Sequence, residues 1–274
     1  MEALLSLAFD NLSSYDGPKI KKGLKQVEGL LAPICLSASR SKKRPTTEEE
    51  QQQQQQQRPP YKTLDDLNDD PAFFEFFKLQ EGFEWNIAQR LLDTLDRLLS
   101  RGSDGQNDML ILNTLDLTQG MLLLHPPSKV LFSREKYMNL LLDLLEPVNC
   151  PAIQSATLLT LVVALIDTPQ NTRAFEALDG LLTVTSIFKS RSTSREVKLK
   201  LVEFLYFYLM PETPSIPLAN PRDSVPARKR RGSADDDFTR TTEEKQALLG
   251  RHLHNVDDLV RDLTAHTPFG GAVC

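Results

Sequence analysis

Cysteine, histidine, glycine and tryptophan are all scarce in this chain, which has three, four, twelve and one of them among 274 residues. Each shortage removes a class of chemistry. Cys35, Cys150 and Cys274 lie far apart, so they form neither a disulfide framework nor a metal knuckle. A cysteine phosphatase needs an arginine six positions after its nucleophile to cradle phosphate, but Ser41 and Ala156 stand at those positions and Cys274 is terminal. Cys274 also lacks the three following residues of a prenylation signal. No GxGxxG or GxxxxGK stretch offers a phosphate loop before a helix. His252 and His254, two apart on an expected helix, point to nearly opposite sides. His125 and His266 have no nucleophile at recognisable spacing and read as surface or terminal histidines. These gaps predict a protein that is not an enzyme, with no catalytic residues, no cofactor and no metal site.

Long apolar runs and excess positive charge are missing too. The longest run, LLTLVVALI at 158–166, is too short for the roughly 20 residues that span a bilayer. The N-terminus opens with an acidic amphipathic pattern where a secretory signal would be basic and then apolar. A net charge of −5 argues against a nucleic-acid partner, since phosphate recognition needs a positive field. The expectation is a cytoplasmic protein without direct membrane insertion.

What the chain does have is a period. Set against itself at an offset of 43 residues, with no gap, it places Leu115 on Leu158 and Leu201, Leu122 on Leu165 and Tyr208, and Pro126 on Pro169. Phe132 falls on Phe175, Leu141 on Val184, Leu144 on Ile187 and Leu145 on Phe188. A fixed period in the low forties with helical hydrophobic spacing is the mark of armadillo or HEAT repeats, whose units stack because none buries its apolar face alone. The fold class expected is all-α, an armadillo/HEAT-like right-handed helical repeat solenoid with two disordered insertions.

Boundaries follow from helix punctuation. Residues 1–36 read as an N-terminal helical hairpin cap, with Gly17 and Pro18 between its helices, and 37–60, containing seven glutamines, as a disordered low-complexity insertion. Repeats occupy 61–210, at about 71–124, 128–167 and 168–210. Asp70 before Pro71 predicts a helix start, a long helix follows at roughly 84–100, Gly180 breaks the last unit, and Thr193 or Ser194 caps a helix ending before Pro211. Residues 211–238, with five prolines, read as a disordered linker. Residues 239–266 form a C-terminal helical cap opened by a Thr241–Glu244 capping box, and 267–274 a tail.

Candidate sites lie on surfaces. On the helix after Ser194, Val197, Leu201, Phe204, Leu205 and Tyr208 make the core stripe, which leaves Arg195, Lys198, Val202 and Tyr206 on another face, with Gln154 comparable one repeat earlier. Gln154, Arg195, Lys198 and Tyr206 are the candidate partner-binding face, because aromatic and arginine residues are favoured interface contacts. Tyr206 has two equal readings, partner contact or packing against a neighbouring helix. In the linker, Arg230, Arg231 and Gly232 before Ser233, with Asp235 to Asp237 after it, make Ser233 a candidate phosphosite. The run Arg228–Arg231 as a nuclear import signal is the weaker reading.

Two blocks, NTRAFEALDGLLTVTSIFKSRSTSREVKLKLVEFLYFYLMPE and RTTEEKQALLGRHLHNVDDLVRDL, together with SYDGPKIKKGLKQVEGLLAPICLS near the N-terminus, resemble the fungal cell division control protein 14 family of the septation initiation network. This family is distinct from the phosphatase of the same historical name. The resemblance implies a non-catalytic regulatory or scaffold subunit that binds a germinal-centre-type Ser/Thr protein kinase at the spindle pole body and promotes septum formation and cytokinesis. Spindle-pole scaffold proteins are further implied partners. No contact residue is carried over. The alternative from the residues alone is a general armadillo-type adaptor holding an extended peptide in its concave groove. Against an import receptor stand the few acids on the third helices and the lone Trp85.

Overall fold

A computed structural model describes residues 1–36, 62–63, 66–67, 69–102, 105–212, 239–256, 258 and 261. The regular elements among them are helical. The chain divides into two compact units, 1–97 and 98–274.

In the first unit, α1 (Glu2–Leu12) and α2 (Gly17–Cys35) pack as a hairpin through Leu5, Ala8, Phe9 and Leu12 on one side and Ile20, Leu24, Val27, Leu31 and Ile34 on the other, all buried. Gly23 allows the close approach: a Cβ there would sit 3.0 Å from Leu12 Cγ and 3.1 Å from the Ala8 carbonyl oxygen. α3 (Pro71–Glu81) starts as expected, with the Asp70 carboxylate accepting the Ala72 N–H at 2.9 Å and Pro71 in the first turn. Asp70 also pairs with Lys62, and the bond to that ammonium, followed by the one from Ala72, holds its carboxyl below the usual range.

The next helix, α4 (Ile87–Leu99), begins later than the periodicity predicts. Asn86 accepts the Gln89 N–H at 2.9 Å, and the buried Gln80 side chain accepts the Ile87 N–H at 2.8 Å, so two side-chain acceptors fix the start. Trp85 is therefore left in the preceding turn, stacked on Phe9 at 6.3 Å.

The second unit carries the period. Its elements are α5 (Asp108–Leu124), a 3-10 helix (Pro126–Ser133), α6 (Glu135–Leu144), α7 (Pro151–Leu165), α8 (Pro169–Ala177), α9 (Gly180–Lys189), α10 (Arg195–Leu209) and α11 (Thr242–Gly250). α5, α7 and α10 begin at 108, 151 and 195, and α7 packs against both of the others. The 3-10 helix and α8 begin at 126 and 169, a spacing of 43 that follows from those two numbers. Backbone geometry repeats with it: His125 has φ −131° and ψ 78°, and Thr168 has φ −136° and ψ 77°.

Burial repeats as well. Leu115, Leu158 and Leu201 are buried, as are Leu122, Leu165 and Tyr208, Phe132 with Phe175, and Leu141 with Val184. Between α8 and α9 the chain turns through Asp179 at φ +58°, and a Cβ on Gly180 would lie 2.3 Å from the Phe175 ring. Phe175 meets Phe204 edge-on at 5.5 Å, so the α8–α9 corner and α10 share one core. Ser194 accepts the Val197 N–H at 3.2 Å, and the capping box of Thr241 and Glu244 is complete.

Candidate functional site

α10 projects two faces of different character. Val197, Leu201, Phe204, Leu205 and Tyr208 are buried, whereas Arg195 is exposed and Lys198, Val202 and Tyr206 are half-buried along one stripe. Gln154 does not join this face. It is buried, and its amide donates to the Leu145 carbonyl at 2.9 Å and the Glu146 carbonyl at 3.1 Å, closing the last turn of α6. A 43-residue shift carries Gln154 onto the buried Val197, not onto the Lys198 stripe, so Gln154 is a capping residue and leaves the candidate partner face. Ser233 and Arg228–Arg231 lie outside the described residues.

His125 is likewise interior rather than surface: it is 1% exposed, and its Nδ1 lies 2.8 Å from the Ser128 hydroxyl. Burial lowers its pKa to about 4. Nearby, Asn171 is buried and donates to the Lys129 carbonyl at 2.8 Å and the Ala164 carbonyl at 2.7 Å, joining the 3-10 helix, α7 and α8. Lys129 donates to the Ile166 carbonyl at 3.1 Å, where the α7 macrodipole is negative. Burial lowers the Lys129 pKa, partly opposed by Asp167.

A second polar cluster sits where α8, α10 and α11 meet. Arg173 places Nη2 3.1 Å from Glu176 Oε1 and 2.6 Å from Glu212 Oε1. Lys245 Nζ lies 2.9 Å from the same Glu212 oxygen, Arg240 Nη1 lies 2.7 Å from Glu176 Oε2, and the Tyr208 hydroxyl donates to Glu176 Oε1 at 2.7 Å. Three cations thus face two carboxylates. The extra positive charge is placed on a helix end, since Lys245 also donates to the Met210 carbonyl at the C-terminus of α10, 2.9 Å away. Lys245 further stands 5.3 Å from the centre of the Tyr208 ring. Burial and then the Glu176 carboxylate push the Tyr208 hydroxyl pKa up, while burial lowers that of Lys245, opposed by Glu212.

This ionic clasp is invisible at the level of motifs. Its members are 28 to 64 residues apart where they meet across elements, the longest span being that from Glu176 to Arg240, and Glu212 falls in the stretch that composition assigns to the linker. The one legible hint is the pair of i, i+3 residues Arg173 and Glu176 on a short helix. Among the described residues, no group of three or more His, Cys, Asp or Glu could hold a metal ion, and no helix is long and apolar enough to cross a membrane.

Comparison with known proteins bears on the whole length. A family model described as "Cell division control protein 14, SIN component" matches residues 1–269. The Cell division control protein 14 of Schizosaccharomyces pombe is 32% identical over 279 residues, covering 98% of this chain and 97% of that protein. No solved structure matches the chain.

Proposed function

The chain belongs to the cell division control protein 14 family of septation initiation network components, and on that footing we propose that it is a non-catalytic regulatory or scaffold subunit. In this reading it binds a germinal-centre-type Ser/Thr kinase, promotes septum formation and cytokinesis, and is recruited from the cytoplasm to the spindle pole body. Family membership over nearly the full length is the observation that carries the proposal.

The stacking of α5, α7 and α10 at a spacing of 43 to 44 residues supports an armadillo-like repeat architecture. Such a stack would offer the kinase domain the stripe of Arg195, Lys198 and Tyr206, where a planar guanidinium and an aromatic ring suit a protein contact. By holding one conformation of the kinase more tightly than another, the subunit shifts its population toward the active form.

Affinity capture of the full-length chain from dividing cells tests this. A germinal-centre-type kinase recovered in stoichiometric amount, with higher specific activity when bound, is the expected result. Stoichiometric partners that include no kinase overturn it and leave the alternative, an adaptor for an extended peptide.

A further inference from the structure

The outward face of α2 is basic over a short length. Lys19, Lys21, Lys22 and Lys25 are all exposed, opposite the buried Ile20, Leu24, Val27 and Leu31 that hold the helix against α1. An open groove along this ridge is lined by Pro18, Lys21, Lys22, Lys25 and Gln26. At a rise of about 1.5 Å per residue, the lysines leave the helix along about 9 Å of its axis.

Folding supplies no reason for this arrangement. Lys19 with Lys22, Lys22 with Lys25, and Lys21 with Lys25 are like charges three or four positions apart, and each such pair weakens a helix. Lys19, Lys21 and Lys22 also stand in the first two turns, where the macrodipole is already positive, and no acid occupies the first turn to offset it. Among the described residues none of the four lysines forms an ion pair. A cluster that opposes its own helix and is left open at the surface is a local conflict of the kind found at functional sites. An anion placed on the ridge relieves every one of these repulsions.

The rest of the face selects the anion. Its other outward positions are Pro18, Gln26 and Gly29, so it has no large apolar side chain to enter a bilayer. Within the helix there is neither an arginine nor an aromatic ring to hold a nucleic-acid base. Asp16 before the ridge and Glu28 after it bound the positive stretch, and the chain as a whole carries −5, so a long polyanion is repelled beyond it. What fits is a short run of carboxylates.

We propose that the α2 ridge is a docking surface for an acidic segment of a partner polypeptide, a short run of Asp or Glu side chains that meets Lys19, Lys21, Lys22 and Lys25. The ridge belongs to the first unit and the α10 stripe to the second, so either can fail without the other.

The test is fluorescence anisotropy of a labelled hexaglutamate peptide with Gly-Ser ends, titrated with the full chain. Binding should saturate and should weaken at least tenfold in the double variant Lys21→Gln, Lys25→Gln. The double variant Lys78→Gln, Lys200→Gln, which removes the same charge elsewhere, should leave it within twofold. In urea the first variant should be as stable as the parent or more so, because like charges have been removed; a loss of stability means that the lysines serve the fold and overturns the proposal. So does absence of saturation, an equal loss of binding in the second variant, or tighter binding of a short DNA duplex or of vesicles of phosphatidylcholine and phosphatidylserine in equal parts. Replacing Glu48–Glu50 and Asp235–Asp237 by their amides should leave peptide affinity within twofold. A larger gain means that this chain covers its own ridge, which overturns the proposal as well.

Discussion

The backbone N–H of Arg240 donates to Oε2 of Glu212 at 2.9 Å, so the two sides of the stretch between them meet at one point of the second unit. The clasp then holds α11 to α8 and α10. Arg173 is shared by both carboxylates, and each carboxylate binds a further cation from the C-terminal side of that meeting point.

Removing one member of this clasp leaves a buried charge without its partner, at a cost of about 3–5 kcal/mol. Glu212→Ala should release α11 while α5, α7 and α10 stay folded. Hydrogen exchange would show lost protection in Thr242–Gly250 alone. Equal loss across α10 would mean that the clasp supports the whole unit.

Two glycines should respond with opposite sign. Gly180→Ala drives a methyl into the Phe175 ring, which is itself wedged against Phe204, and should cost about 1–3 kcal/mol in urea unfolding. Gly120 lies inside α5 with nothing within 4 Å of an added methyl group, so Gly120→Ala should stabilise by about 0.5–1 kcal/mol through the entropy of the unfolded chain.

Acid should destabilise the protein through His125. Folded, this imidazole stays neutral down to about pH 4; unfolded, it takes its proton near pH 6.5. The unfolded state therefore binds more protons between those values. The contribution of His125 is intact above pH 6.5, is lost as pH falls toward 4, and is limited to about 3 kcal/mol by the size of the shift. Unfolding free energies at pH 7 and pH 5 should differ less in His125→Gln than in the parent.

The stripe on α10 and the buried Gln154 should separate binding from stability. Arg195→Glu with Lys198→Glu should weaken kinase capture at least tenfold while unfolding stays within about 0.5 kcal/mol of the parent. Gln154→Ala should do the reverse, depriving two carbonyl groups of their donor at a cost of about 1–3 kcal/mol without weakening capture.

Helix positions are widely legible because their signals are local. Asp70, Ser194 and Thr241 cap helices from within three residues, and the apolar spacing of Val197, Leu201, Phe204, Leu205 and Tyr208 names the buried side of α10 without reference to any other element. The start of α4 is less clear, since Gln80 acts on it from seven residues away. Gln154 departs from its expected place because the 43-residue register sets it on the buried Val197, one position short of the Lys198 stripe. At that point α6 ends with open carbonyls.

By itself the sequence determined the helices and the period of the second unit, because caps and hydrophobic spacing act within a few turns and recur every 43 residues. Only the tertiary structure decided which polar residues meet. The clasp of Arg173, Glu176, Glu212, Arg240 and Lys245 joins residues as far apart in the chain as Glu176 and Arg240, which are 64 positions apart. Such matches depend on side-chain reach across packed elements, and they leave no periodic trace in the chain.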